Sequence, residues 1–274
     1  KELNQIYKSF GLAPCATAAF DMAIWDWNAK KAGLPLNKYL KIPLPSVPTS
    51  ITLGINPPEE VKRRIPLLLD NTSIKSLKVK LGSSNGIEAD KEMFTQVLES
   101  LKKYKVNLRV DANGGWKTPD AILMMKWLAE RGVDYIEQPL EEGNEEDLKY
   151  IYPSRPLPIY IDESCRYSKD VYKWAPNVDG VNIKLMKCGG ITEALEIIKA
   201  AKKCQLKTMI GCMSESSVAI AAAASISGAI DHIDLDSHIN LDPDPSLGVK
   251  LVNGITTPEF TPGHGAKLKP EYYA

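Results

Sequence analysis

What the chain lacks narrows it first. It carries no net charge, its 34 Lys+Arg being matched by 34 Asp+Glu. With no global field of one sign, nothing points to nucleic acid, a membrane surface or a polyanionic partner, and a small molecule becomes the expected ligand. No stretch approaches the roughly 18 uninterrupted apolar residues of a membrane span. The opening KELNQIYKSF has no basic segment running into an apolar one, so no signal peptide is read. The richest apolar segment, Val218 to Ile230, is broken by serines and glycine and reads as a buried helix. The five cysteines, Cys15, Cys165, Cys188, Cys204 and Cys212, are odd in number and never paired as CxxC. That disfavours a disulfide framework and a structural zinc site, and fits a reducing, cytoplasmic setting. His232, His238 and His264 lack metal-site spacing and are taken as structural or solvent-facing.

What is present is an alternation. At 274 residues and 44% hydrophobic content, one dominant domain is expected. From about Thr49, short β-rich apolar runs alternate with stretches of helical periodicity. Eight strands are predicted, over Ser50–Ile55, Ser76–Leu81, Asn107–Val110, Asp134–Ile136, Ile159–Ile161, Gly180–Leu185, Lys207–Ile210 and His232–Leu235. Helices are predicted between them, the last two over Ile191–Cys204 and Ser216–Ser227. Eight strands at this spacing fit a closed TIM-type barrel, and the absence of GxGxxG after the first strand weakens a doubly wound dinucleotide-binding sheet. Before the barrel, Ala13–Gly33 reads as an amphipathic helix burying Phe20, Ile24 and Trp27. The five tryptophans are expected to be packing residues. After the last strand, 240–274 is rich in Pro, Gly and Asp and is expected to fold back as loops and short strands.

In such a barrel the chemistry sits at the carboxyl ends of the strands. Strand two carries Lys78 and Lys80, strand three ends in Asp111, strand four in Glu137, strand five in Asp162, and strand six carries Lys184. Successive acids are 26 and 25 residues apart, one βα repeat each, so they should line one arc of the barrel mouth. Three carboxylates crowded together raise one another's pKa unless a cation holds them, and oxygen ligands without His or Cys suit Mg²⁺. The lysines flank the arc. A lysine that is partly buried beside a second ammonium and a metal ion is expected to be depressed toward neutrality and to exchange protons there. Taken singly, KVK reads as a solvated strand edge and an Asp after a strand as a helix N-cap; the ordered series across five consecutive strands is what those readings leave unexplained.

These residues resemble the muconate-lactonising branch of the enolase superfamily, with Lys78-Val79-Lys80 as its KxK, Asp111, Glu137 and Asp162 as its metal ligands, and Lys184 as its sixth-strand base. NIKLMKCGGI, MIGCMSES and the DxD of HIDLDSHINL, Asp234 and Asp236, are similar to the dipeptide epimerases of that branch. The resemblance implies an α/β fold with a modified (β/α)7β barrel over 48–240, the last helices of an α+β cap domain over 1–47, and a C-terminal segment over 241–274. The strands and specificity loop of the cap are then expected to lie outside this sequence. The implied reaction is Mg²⁺-dependent epimerisation of L-Ala-L/D-Glu or a related dipeptide, with Lys80 and Lys184 exchanging the α-proton through an enediolate. Lys78 would support the substrate carboxylate, Asp234 and Asp236 would take the substrate ammonium, and Thr52, Cys212 and Ser214 would line the pocket. Alternatives left open are o-succinylbenzoate synthase, muconate cycloisomerase and N-acylamino-acid racemase within the fold. A Schiff-base aldolase using Lys184, or a barrel that only binds a ligand, lies outside it. Homo-oligomerisation and the dipeptide side chain are not fixed by the sequence.

Overall fold

The computed structural model describes residues 11–70 and 72–273. The first ten residues of the expected cap segment, and Ala274 of the C-terminal segment, lie outside the described residues. Eight parallel strands pair in chain order: β1 (Ser50–Leu53), β2 (Ser76–Lys80), β3 (Asn107–Asp111), β4 (Val133–Glu137), β5 (Ile159–Ile161), β6 (Gly180–Ile183), β7 (Lys207–Ile210) and β8 (His232–Ile233). A parallel bridge between Thr49 and Ile233 closes the ring.

Helices in chain order are α1 (Pro14–Lys31), α2 (Leu36–Tyr39), α3 (Pro58–Leu69), α4 (Ile87–Ser100), α5 (Thr118–Ala129), α6 (Leu148–Ile151), α7 (Ser168–Trp174), α8 (Leu185–Cys188), α9 (Ile191–Lys203) and α10 (Ser217–Ile226). Every connection from β1 to β8 is helical, whereas β8 is followed only by a 3₁₀ turn at Ser237–Ile239, which is the (β/α)7β pattern.

Side chains alternate along each strand, so one set faces the helices and the other the barrel axis. The outward set, including Leu77, Val79, Val110, Ile136, Ile161, Val181, Ile183 and Ile210, joins Val61, Ile65, Phe94, Val97 and Ile197 of the helices in one continuous apolar cluster. The inward set is unlike the branched aliphatics usual in such barrels. Tyr135, Tyr160 and Met209 form a separate small cluster on the axis, with His232 5.1 Å from the Tyr135 ring and the Arg109 guanidinium 5.7 Å from it. Gly180 on β6 makes room for this layer, since a Cβ there would stand 2.2 Å from the Tyr160 ring.

Three expectations are revised. α1 does not bury Phe20 and Trp27, which are 53% and 60% exposed. It docks through Thr17, Ala18, Asp21 and Met22, because Asp21 accepts hydrogen bonds from the Thr192 N–H (3.0 Å) and hydroxyl (2.5 Å) and Gly190 leaves room for the Asp21 side chain, which a Cβ there would meet at 2.5 Å. Trp27 is therefore not a core residue, unlike Trp116 and Trp174, which are buried. The sixth strand stops at Ile183 and α8 follows it; Gly189 and Gly190, both at positive φ, then end α8 and separate it from α9. Beyond β8, short strands β9 (Ser246–Leu247), β10 (Val249–Val252), β11 (Ile255–Pro258) and β12 (Lys267–Leu268) pair as β10–β11 and β9–β12. They tie back through the Thr49 N–H to the Gly254 carbonyl (2.8 Å) and the Leu36 N–H to the Gly263 carbonyl (2.7 Å).

Candidate active site

The strand ends bring the sequence-selected residues to one mouth. A cavity of about 540 Å³ is lined by Thr52, Lys78, Lys80, Lys184, Cys212, Ser214, Asp234 and Asp236. Asp111, Glu137 and Asp162 are fully buried beside it, on the strand ends between the two lysine flanks.

On one flank, Lys78 is buried and contacts Asp234, Glu137 (3.4 Å) and Asp111 (3.8 Å). Burial alone would lower its pKa, but the charges of Asp234, Glu137 and Asp111 outweigh burial and raise it well above the ordinary lysine value. Lys80, its side chain 35% exposed, reaches Asp111 at 3.8 Å. The turn after it is tight, since a Cβ on Gly82 would stand 2.1 Å from the Ala112 carbonyl oxygen, so β2 and β3 end pressed together.

On the other flank, Lys184 pairs with Asp162 Oδ2. Burial opposes its charge, but Asp162 and Glu137 prevail and its pKa is raised. Crowding among carboxylates, rather than among ammonium groups, sets the charge of Lys78 and Lys184. Asp162 is held low despite burial, by Lys187 first and Lys184 second.

Each carboxylate is anchored by hydrogen bonds at its own strand end. Asp111 accepts the Asn113 N–H (2.9 Å) and side-chain amide (3.2 Å). Glu137 Oε1 accepts from Asn182 Nδ2 at 2.6 Å. The Asp162 N–H donates to Gln138 Oε1 (2.8 Å), and Gln138 is itself held by donating to the Leu140 carbonyl (2.7 Å) and Ser164 Oγ (2.8 Å).

Among the described residues no three acidic, histidine or cysteine side chains converge as a ready metal cluster. The positive charges nearest the acids are ammonium groups, with Lys78 bridging Asp111 and Glu137 and two lysines covering Asp162. The donor set nevertheless fits a hard divalent cation. It is all oxygen, it is buried, and the Glu137 carboxyl is pushed up to about 8 by burial, then by Asp111, with Asp162 adding and Lys78 only partly offsetting. That residual repulsion is what a cation would relieve.

The paired aspartates after β8 differ from each other. Asp234 Oδ1 accepts from Ser50 Oγ at 2.6 Å while its other oxygen pairs with Lys78; Lys78 overcomes burial and holds its pKa low. Asp236 accepts the Thr52 N–H at 2.7 Å and is pushed up to about 6, first by burial and then by Asp234. Burial and then Asp236 push the Cys212 thiol up to about 12, and it donates to the Asp234 carbonyl at 3.2 Å. A thiol so raised is a poor nucleophile.

Several site residues were not singled out in the sequence. Lys187 donates to Asp162 Oδ1 (2.5 Å), to the Asp162 carbonyl and to the Asn182 carbonyl (2.9 Å). Its signal was the i, i+3 spacing from Lys184 across one helical turn. Asn182 precedes Lys184 by two on the same strand face, and its Oδ1 is buried without a hydrogen-bond partner, as is Glu163 Oε2. Glu163, Met213, Glu215 and Leu241 also line the cavity.

The family model "Enolase C-terminal domain-like" matches residues 60–272. A hydrophobic dipeptide epimerase of Flavobacteria bacterium (strain MS024-2A) is 63% identical over 274 residues, which is 100% of this chain and 78% of that protein. An L-Ala-D/L-Glu epimerase of Bacteroides thetaiotaomicron is 37% identical, over 91% of this chain and 63% of that protein. The crystal structure of a dipeptide epimerase from Cytophaga hutchinsonii, complexed with Mg and the dipeptide D-Ala-L-Val, superposes with a TM-score of 0.88 at 30% identity, covering 95% of this chain and 72% of that one.

Proposed function

This chain belongs to the enolase C-terminal domain-like family, and from that premise we propose that it is an isomerase that epimerises dipeptides at the α-carbon of the C-terminal residue. The observation that carries the reading is one cavity in which Lys80 and Lys184 stand on opposite flanks of three buried carboxylates, with a further carboxylate pair at its edge. The 63% identity to a hydrophobic dipeptide epimerase favours apolar side chains over the L-Ala-D/L-Glu substrate suggested by the sequence motifs.

In this reading Asp111, Glu137 and Asp162 would hold Mg²⁺, which when bound offsets the negative charge developing on the substrate carboxylate. Lys78 faces that carboxylate from β2. Lys80 takes the α-proton from one face and Lys184 returns one to the other, so configuration inverts at a single carbon. The carboxylate pair after β8 receives the dipeptide's ammonium, a group that succinylbenzoates, muconate and N-acylamino acids lack. By the same reading residues 48–240 are the catalytic barrel, 1–47 the end of a capping unit and 241–274 a segment folded back on both.

The test is incubation of a library of L-Ala-L-Xaa and apolar dipeptides with protein and Mg²⁺ in D₂O, followed by mass and chiral analysis. One deuteron at the C-terminal α-carbon with inversion is expected, and strongest for apolar Xaa. No exchange with any dipeptide, or borohydride trapping of substrate on Lys184, overturns the reading.

A further inference from the structure

Beside one of the two proposed bases lies a buried acceptor that the proposed reaction does not use. Asn182 stands on β6 two residues before Lys184, on the same inward face, and is fully buried. Its Nδ2 donates to Glu137 Oε1 at 2.6 Å, and its backbone carbonyl accepts from Lys187 Nζ at 2.9 Å. Side chain and backbone are therefore both fixed. The oxygen of the same amide, Oδ1, is buried with no hydrogen-bond partner among the described residues. A carbonyl left in that state inside a protein is costly and calls for a reason. Gly211, the residue after β7, shows what lies next to it. A Cβ there would stand 2.9 Å from Asn182 Nδ2, 3.0 Å from Oδ1 and 3.2 Å from Lys184 Cε, so the free oxygen and the end of the lysine border one small space that a side chain at 211 would fill. The Lys184 ammonium is turned instead to Asp162 Oδ2, on one of the three acids that fit a cation. A divalent cation on Asp162 would repel that ammonium and compete for the same oxygen.

We propose that Asn182 is a positioning residue whose Oδ1 is the second seat of the Lys184 ammonium, taken up when a divalent cation occupies Asp162. The inference rests on the dipeptide reading above, in which Asp162 holds the cation and Lys184 serves one face of the substrate. A lysine carries its charge on a flexible stem with three rotatable donors, so the ammonium crosses the space at Gly211 without any backbone movement. An amide oxygen suits the second seat because it holds an ammonium less strongly than a carboxylate does, which leaves Lys184 aligned and still able to face a substrate. With Nδ2 tied to Glu137, one side chain joins a cation ligand to the base that another ligand has released. Lys80 stands on the opposite flank, so the effect belongs to the Lys184 face.

Two measurements test this, and the first needs no substrate. Titration calorimetry gives the Mg²⁺ dissociation constant of the wild type, Asn182→Leu, Lys184→Met and the double variant. Asn182→Leu should weaken Mg²⁺ by about tenfold more in the wild-type background, where a displaced ammonium loses its acceptor, than in the Lys184→Met background, where no ammonium is displaced. The loss of the amide donor to Glu137 is common to both backgrounds and cancels. The second measurement is deuterium uptake from each pure diastereomer of one apolar dipeptide at saturating Mg²⁺. Asn182→Leu should slow exchange from the diastereomer that faces Lys184 by about tenfold more than from the one that faces Lys80, as a misplaced base does. Gly211→Ala, which removes no hydrogen-bonding side chain and narrows the shared space, should show the same one-sided loss. Equal weakening of Mg²⁺ in the two backgrounds, or equal slowing at the two faces, makes Asn182 a support of Glu137 alone and overturns the inference. A wild type that binds no Mg²⁺ overturns it together with the cation reading. A wild type that binds Mg²⁺ but exchanges no dipeptide overturns the dipeptide reading, and the Mg²⁺ cycle still decides the seat.

Discussion

The two flanks of the cavity carry the same functional group in opposite circumstances. Lys80 is one-third exposed and stands 3.8 Å from Asp111, whereas Lys184 is buried against Asp162, which also holds Lys187. Two lysines that look symmetric in sequence, one strand before and one strand after the acids, are thus held unequally. In the proposed reaction Lys184 would have to give up a buried carboxylate contact to reach a substrate, and Lys80 would have little to give up. Chemical equivalence of bases in a sequence does not make their resting states equivalent; burial and partner number decide that.

The strongest way to sharpen this contrast is to remove each base. Lys80→Met and Lys184→Met should each reduce epimerisation by about 10²–10⁴-fold or more, while each variant still exchanges the α-proton of the one diastereomer that faces its surviving lysine; deuterium uptake from both pure diastereomers reads this directly. Loss of exchange from both diastereomers in each single variant would break the two-flank picture.

A second effect separates the flanks by stability. Asp162→Asn strands two buried ammonium groups and should cost about 3–5 kcal/mol in denaturant unfolding, where Lys80→Met should stay within about 0.5 kcal/mol because its ion pair is long and partly solvated.

The third lies between the flanks, at Glu137. Its carboxyl is raised from its ordinary 4.5 to about 8, so the folded, metal-free protein keeps a proton that the unfolded chain loses, and its stability falls as pH rises from about 4.5 to 8. Mg²⁺ needs the carboxylate, so its affinity should climb by up to about tenfold per pH unit below 8 and level off above it. Titration calorimetry across pH 6–9 checks the slope, and a flat profile would remove Glu137 from the cation's ligands.

Much of this was legible before the fold. The order of lysines, acids and lysine along consecutive strands is a one-dimensional trace of a barrel mouth, and Asp111, Glu137 and Asp162 all fall at or one residue past their strand ends. What escaped reading has a common physical cause. Lys187 lies on α8, a single turn that Gly189 and Gly190 separate from α9, and a lysine after a strand looks like surface. Arg109 and Ser50 are ordinary strand residues until the ring closes and places them within 3.4 Å of each other. The face of α1 was misjudged because periodicity counts apolar residues, and this helix docks through small residues and the Asp21 carboxylate instead.

The bridge that closes the ring has a consequence for how the molecule comes to exist. Neighbouring strands elsewhere meet within about one repeat of chain, but at the seam Ser50 reaches Asp234, the Thr52 N–H reaches Asp236 and the Leu235 N–H reaches Thr49, contacts spanning 184, 184 and 186 residues. Contacts so distant in sequence are slow to form, because loop-closure entropy is spent before they contribute. A chain halted just short of closure would already hold its acids and lysines on adjoining strands, yet its aspartate pair would hang from an unjoined edge. Completing the architecture and completing the corner that carries the aspartate pair are therefore one and the same folding event.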